Sequence, residues 1–284
     1  MLAANALFAT TDSTSKWLLT AGYAALQLAF MRYASQLLIT SVLVLRRGTG
    51  DLMKARALWP RLVLRASLLV VSTILNFFAL TSLSLSVTSA IMFSAPIIVC
   101  ALSWPLLGER VGPFRWAAVA LGFLGVMVVI RPFEVDWNVA ALLTLAAAFG
   151  LALYAIMTRA MAQDVEPLAM QFILGLVGTA LLLPLAWVYW VPIQTIGHFF
   201  LLALLGCWAW FGHELLIRAH KVAEANYLGP YAYSYLIYMT LAGYLLFGDI
   251  PDAWTVVGAA MITGAGLLIW WREMRVAQPG NAAR

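Results

Sequence analysis

Apolar residues run along this chain in ten long stretches with short polar breaks between them. The stretches cover 2–20, 24–45, 62–82, 87–107, 113–131, 138–158, 167–190, 196–217, 223–247 and 253–271. A helix that crosses a bilayer needs roughly 20 mostly apolar residues. The breaks carry Gly22, Gly48, Gly50, Pro113, Pro132, Pro167, Pro192 and Pro251, residue types that turn or end helices. The pattern predicts an all-α polytopic membrane protein with ten transmembrane helices.

The pattern also repeats. Ser86–Ile130 and Asn226–Ile269 both read as an apolar span, a Gly-acid turn and a second apolar span. A shift of about 140 residues places Gly108-Glu109 on Gly248-Asp249, Ser94 on Ser234, Trp104 on Tyr244 and Leu107 on Phe247, the kind of self-similarity that marks an internal duplication. The expected halves are 1–133 and 134–272, five helices each, with 273–284 as a disordered tail. Five is odd, so the second half enters the membrane upside down. Inverted repeats of this kind build transporters whose pathway lies near the midplane, between the halves.

Charge sets the orientation. The longest connection, 46–61, carries Arg46, Arg47, Lys54, Arg56 and Arg61. With the N-terminus inside, that loop, Arg110, Arg115, Arg159, Arg218, Lys221, Arg272 and Arg275 all fall on the cytoplasmic side, where Lys and Arg accumulate. Both termini are therefore expected in the cytoplasm.

Composition narrows the function class. Hydrophobic residues make up 64% of the 284 and charged residues 10%, against about 25% charge in a soluble domain. Lipid must be the solvent for most of the surface, so the bilayer is itself a partner. The net charge of +5 is explained by cytoplasmic loops and needs no nucleic acid. Cys100 and Cys207 lie inside apolar spans and read as packing residues. Met1–Asn5 lacks a basic region, so the first apolar run is expected to stay as a span. His198, His213 and His220 form no zinc pattern, and no phosphate-binding loop or nucleophile elbow occurs. The sequence predicts no metal, no cofactor and no enzymatic activity.

Polar residues inside spans are costly and point to function. Asp12 and Lys16 are four apart and share a face of the first helix. Counted from the span ends at about 1.5 Å per residue, Asp12 and Arg32 reach the same depth, about 12 Å. An Asp12–Arg32 ion pair follows, either a structural clamp or a substrate-charge site; Lys16 is the other candidate partner. On the third span Thr73, Asn76 and Phe77 share a face, and Asn76 can donate and accept. His213 is the repeat mate of Thr73, and Glu214 stands four before Arg218. On the ninth span Tyr227, Tyr231, Ser234, Tyr235 and Tyr238 recur at three- and four-residue spacing, one face rich in rings and hydroxyls. An interfacial belt explains Tyr227; Tyr235 and Tyr238 sit deeper and suit an amphipathic solute. Tyr233 is expected to point elsewhere. Met92, Phe93, Ser94, Phe149, Tyr154, Trp208 and Trp210 complete the candidate cavity. Pro96 in the fourth span and Gly229-Pro230 before the tyrosine stripe are expected helix breaks and gating points. Gly122, Gly125, Gly258, Gly264 and Gly266 read as close-packing positions, and Trp270-Trp271 as an interface anchor.

The ordered residues Pro96, Leu107-Gly108-Glu109-Arg110, Trp116, Gly122-Phe123-Leu124-Gly125-Val126 and Arg131-Pro132 resemble the EamA domain of the drug/metabolite transporter superfamily. Asp12–Lys16 and Arg32 are similar to that domain's opening. Phe247–Asp252 and Gly258-Ala259-Ala260 carry the resemblance into the second half, where Gly248-Asp249 departs from the commoner Gly-Glu. The resemblance covers essentially the whole chain. It implies ten helices, secondary transport by alternating access, and a cavity lined by the first, third, fourth, sixth, eighth and ninth spans. Amino-acid and metabolite exporters are the most similar members. The expected function is export of small amphipathic metabolites, amino acids including aromatic ones, across the bacterial inner membrane by a monomer. The rivals are a carrier for nucleoside-like compounds or organic cations, a channel, and a lipid-modifying membrane enzyme. A cation carrier requires Asp12 or Glu214 to be free of Arg32 or Arg218.

Overall fold

The computed structural model describes residues 1–107, 112–130, 139–161, 164–222, 231 and 233–277. Regular structure among them is helical: α1 (Leu2–Thr20), α2 (Ala25–Arg47), a short α3 (Gly50–Lys54) with a 3-10 turn at Ala55–Leu58, α4 (Trp59–Leu80), α5 (Leu85–Met92), α6 (Ala95–Leu107), α7 (Pro113–Ile130), α8 (Val139–Met161), α9 (Pro167–Val188), α10 (Ile196–Val222), α11 (Ser234–Phe247) and α12 (Ala253–Ala277).

Local chemistry sets the ends. Pro113 and Pro167 open α7 and α9, where a missing N–H costs nothing. The Ser84 hydroxyl accepts from Val87 N at 3.3 Å and caps α5, satisfying one of the helix's free donors. Gly248 closes α11 with φ +69°, a left-handed conformation that glycine adopts without penalty. The Gly-acid turn at 248–249 is thus a helix cap; its mate at 108–109 lies outside the described residues. The last helix continues to Ala277, five residues into the stretch expected to be a tail.

Among the described residues seven helical segments are long and apolar enough to cross a membrane, with shorter apolar helices at Trp116–Ile130 and Ser234–Phe247. Segment α1 is not one of the seven. Its middle reads Thr10-Thr11-Asp12-Ser13-Thr14-Ser15-Lys16. The hydroxyls of Thr11, Ser13 and Ser15 turn back onto the carbonyls of Leu7, Ala9 and Thr11 at 2.7–2.9 Å. That leaves little free polarity, and α1 packs against α10 and α11.

The helices pair by a rule. Segment α2 packs on α9, and α7 on α12; α4 packs on α8, and α1 on α10. Glycines permit the tightest approaches. A Cβ on Gly178 of α9 would collide with the Tyr33 ring of α2, and one on Gly125 of α7 would meet the Gly258 carbonyl at 2.9 Å. The main core joins Leu18, Leu28, Tyr33, Leu69, Phe77, Leu80, Leu174 and Leu205, all buried.

Candidate substrate site

Two helix breaks face each other. The chain leaves α5 at Met92, turns through Phe93-Ser94 and resumes as α6 at Ala95. Pro96 is the second residue of α6. A proline is tolerated in a first turn but not in a helix interior, so the break falls just before it. The Phe93 ring stacks on Tyr233 with centroids 5.1 Å apart and tilts against Tyr235 at 6.0 Å. Tyr233 is the turn residue before α11. Under the repeat offset, Phe93 and Tyr233 occupy equivalent positions.

The freed backbone is recaptured by side chains. Asn5 Nδ2 of α1 donates to the Tyr231 carbonyl at 2.9 Å and to Ser234 Oγ at 2.9 Å. Ser234 Oγ donates to the same Tyr231 carbonyl at 2.8 Å. The tyrosine stripe is therefore interrupted at Tyr233, the turn residue before α11, whereas the expected break at Gly229-Pro230 lies outside the described residues. Tyr231 is exposed, while Tyr235 and Tyr238 pack half-buried against the core. Tyr233 does not point away as expected, because the turn rotates it onto Phe93. Tyr227, Gly229 and Pro230 lie outside the described residues.

The half-buried Asp12 accepts a 2.5 Å hydrogen bond from the Tyr235 hydroxyl. The Asp12–Arg32 ion pair expected from equal depth does not form. No nitrogen of Arg32 comes within 4.0 Å of the carboxylate. The Arg32 guanidinium lies over the rings of Tyr33 and Phe77, 5.8 and 6.0 Å from their centroids. Its buried Nε has no hydrogen-bond partner. Lys16 turns the other way. It is buried, pairs with Asp249 at 2.9 Å and donates to the Leu83 carbonyl at 3.0 Å. Its ammonium also lies 4.9 Å from the Phe247 ring centroid. Lys16 thus ties α1 to the α4–α5 turn and to the loop after α11.

The other candidates divide. Asn76 is buried, and its Oδ1 has no partner; the same holds for Ser94 Oγ. Thr73 meets the Tyr33 hydroxyl at 2.8 Å, and Phe77 is fully buried, so both belong to the core. Met92 packs against Ala95, Ala148 and Ala152. Trp208 packs on the main core. Trp210 sets its edge against Phe211 and keeps a buried, unpartnered Nε1. His213 stands edge-on to Phe8 at 5.0 Å. Phe149 is 47% exposed. Tyr154 accepts from Arg65 at 2.7 Å. Arg65 itself, 4% exposed and also bonded to Thr158 at 2.7 Å, escaped the sequence reading, although an Arg inside an apolar span was the available signal. Asp249 escaped as a partner because 233 residues separate it from Lys16. An open apolar groove of about 740 Å³ lies elsewhere, against Leu121, Met261, Gly264, Trp270 and Trp271. Nothing in its lining could hold a charged solute, and it suits lipid chains. Among the described residues no cluster could hold a metal ion.

A family model described as the EamA-like transporter family matches residues 1–131 and 138–271. The chain belongs to that family. It is a polytopic membrane protein of the EamA type, and its relatives are named transporters, not enzymes. It is 28% identical over 264 residues to an S-adenosylmethionine uptake transporter of Rickettsia prowazekii, spanning 93% of this chain and 88% of that protein. It is 30% identical over 195 residues to a riboflavin transporter of Vibrio cholerae, spanning 68% and 65%. A solved crystal structure shares the fold with a TM-score of 0.64 at 18% identity, covering 97% of this chain and 98% of the other. The EamA resemblance seen in the sequence holds. These relatives are named for S-adenosylmethionine and riboflavin, so neither amino acids as the substrate class nor export as the direction is shown.

Proposed function

We propose that this EamA-type protein is a secondary carrier of small amphipathic metabolites that join a ring to a charged or polar head, moving them across the bacterial inner membrane by alternating access. The observation that carries this reading is the aromatic trio Phe93, Tyr233 and Tyr235, with Asp12 at its edge. Flat rings accept a flat solute, and a carboxylate in a mostly apolar bundle orients its charged end. Aromatic amino acids fit this description. So do S-adenosylmethionine and riboflavin, the solutes in the names of the two relatives, each of which has a ring system and a polar arm. The gradients, not the protein, set the net direction.

The architecture we propose is ten crossings in two inverted halves, with both termini in the cytoplasm. The helix pairing supports it: α4 on α8 and α1 on α10 are the same contact with the halves exchanged, while α2–α9 and α7–α12 each pair a helix with its own mate. Matched breaks at Phe93-Ser94 and Tyr233-Ser234 support it further.

An organic-cation carrier is the second reading. Glu214 is held by Arg218 at 3.1 Å, whereas Asp12 has no ion pair within 4.0 Å. Tracer counterflow in proteoliposomes tests the main reading. Saturable counterflow of L-tryptophan, S-adenosylmethionine or riboflavin is the expected result. Non-saturating flux would make the protein a pore, and no flux of any of the three would remove the proposal. Cysteines at Thr49 and Asp252 test the topology: labelling from opposite sides is expected, and labelling from one side overturns the inversion.

A further inference from the structure

We propose that the apolar groove beside α12 is the seat of an anionic phospholipid, with an acyl chain along the groove and the phosphate on Arg272. The inference concerns the outer wall of the bundle. It needs neither a particular solute nor a direction of transport.

The groove follows one face of α12. Val257, Met261, Gly264, Leu268 and Trp271 succeed one another at three- and four-residue spacing and form a single stripe, and Leu121 of α7 makes the facing wall. From Val257 to Trp271 the stripe runs about 21 Å at 1.5 Å per residue. That is long enough to receive an acyl chain, which spans half of a hydrocarbon core about 30 Å thick. The depth comes from Gly264. A Cβ built there would meet no atom within 4 Å, whereas one on Gly258 or Gly125 would strike the opposite helix of the α7–α12 pair. The glycines of the seam join two helices; Gly264 opens onto empty space.

A positive charge stands at one end of the stripe. Arg272 follows Leu268 by four residues, so it stands one turn beyond it on the same side of the helix. Its guanidinium lies 4.9 Å from the ring centroid of Phe114, in the first turn of α7. Among the described residues no carboxylate comes within 4.0 Å of it. The ring fixes the guanidinium and leaves its planar fork of donors for a phosphate. The other end of the stripe carries the opposite sign. There the Asp252 carboxylate accepts from Thr255 N at 2.8 Å and caps α12. An anionic head is therefore drawn to the Arg272 end, as basic sites between membrane helices draw such heads. A second copy of this chain fits the groove less well. A two-fold dimer about the membrane normal sets a patch against itself, so the hollow at Gly264 would face its own image and Arg272 would approach Arg272.

The test is native mass spectrometry of the full chain in detergent. The probes are phosphatidylglycerol and phosphatidylcholine with identical palmitoyl-oleoyl chains, offered as an equimolar mixture. The proteins are the parent, Arg272→Gln, Arg272→Lys and Gly264→Leu. The parent should retain one phosphatidylglycerol in preference to phosphatidylcholine by about tenfold, the worth of one charge-assisted hydrogen bond. Arg272→Gln should level the two lipids, and Arg272→Lys should keep most of the preference. Gly264→Leu fills the hollow with a better helix former. It should weaken retention of both lipids alike while unfolding at no lower a temperature than the parent. Equal retention of the two lipids by the parent would overturn the proposal. So would an unchanged preference in Arg272→Gln, which would place the head on another basic segment, or parent-like retention in Gly264→Leu, which would take the chain out of the groove. A parent that runs as a dimer and becomes a monomer in Gly264→Leu would give the groove to a second copy. None of these results bears on counterflow, so the carrier reading stands or falls separately.

Discussion

Lys16 and Asp12 stand one turn apart on the same helix, and the molecule treats them in opposite ways. Lys16 is saturated: a carboxylate, a backbone carbonyl and an aromatic ring surround it. Asp12 has one hydroxyl donor and no ion pair within 4.0 Å among the described residues. Removing one partner of a buried ion pair is costly, because it leaves the other charge uncompensated. A charge with spare capacity stabilises less and can accept a guest. The difference teaches which polar residues hold the bundle and which, on the function proposed above, are left for a solute. Both were candidate cavity residues by sequence, and only their neighbours separate them.

The largest expected effect comes from breaking the saturated region. Lys16→Glu places two carboxylates together at the end of α1. It should cost about 3 kcal/mol, the low end for a buried pair, because Asp249 keeps 32% of its side chain exposed. Thermal unfolding in detergent measures it, and adding Asp249→Lys should restore part of the loss. Independent, additive losses would show that the pair does not act as a unit.

The next effect falls on the open region. Tyr235→Phe removes the only hydroxyl that fixes the Asp12 carboxylate among the described residues. A hydrogen bond to a charged group is worth about 1.5–3 kcal/mol, so substrate affinity should fall at least about tenfold at 1.4 kcal/mol per tenfold, read as the half-saturation concentration in counterflow. Phe93→Ala and Tyr233→Ala should each cost less, about 0.5–1.5 kcal/mol for one ring contact. Ile237, 66% exposed on the same helix, is the control: Ile237→Ala should transport like the parent. If Tyr233→Ala also transports like the parent, the stack on Phe93 is packing only.

Stability should separate the regions again. Asp12→Asn keeps an acceptor for Tyr235 and breaks no ion pair, so its unfolding should shift by less than about 1 kcal/mol. The smallest effect belongs to Lys54 and Asp51, 3.6 Å apart with Lys54 80% exposed. Lys54→Ala should change the unfolding temperature within error, as exposed pairs contribute about 0–1 kcal/mol.

Most of the helices were legible because the runs of apolar residues mark where a helix can lie in a bilayer. The helices begin and end within a few residues of those runs wherever they are described. The break in the fourth span was legible from Pro96, although it lies at Phe93-Ser94, since proline forbids the turn before it and not its own. The Gly248 cap was legible from the Gly-acid repeat. The site was legible only by residue type. Asp12, Phe93 and Tyr235 could be singled out, because polar and aromatic groups deep in a span are uncommon. Their partners could not. Lys16–Asp249 and Asp12–Tyr235 join residues more than two hundred positions apart, and depth along separate helices does not say which helices touch. Equal depth therefore suggested an Asp12–Arg32 pair that the rotation of α1 and α2 does not make. Nor could periodicity place Tyr233, because the helical count fails wherever the helix itself is broken.

The most direct measurement is ligand-induced stabilisation, taken side by side in the parent, Lys16→Met and Asp12→Asn. Ligand at about 100 times its Kd adds about 2.7 kcal/mol to a protein that binds it. With saturating L-tryptophan, Lys16→Met should unfold at a lower temperature than the parent yet gain the same increment from the ligand. Asp12→Asn should unfold near the parent and gain little. The same increment in Asp12→Asn as in the parent, or its loss in Lys16→Met alone, would contradict the division between charges that hold the fold and charges that hold the solute.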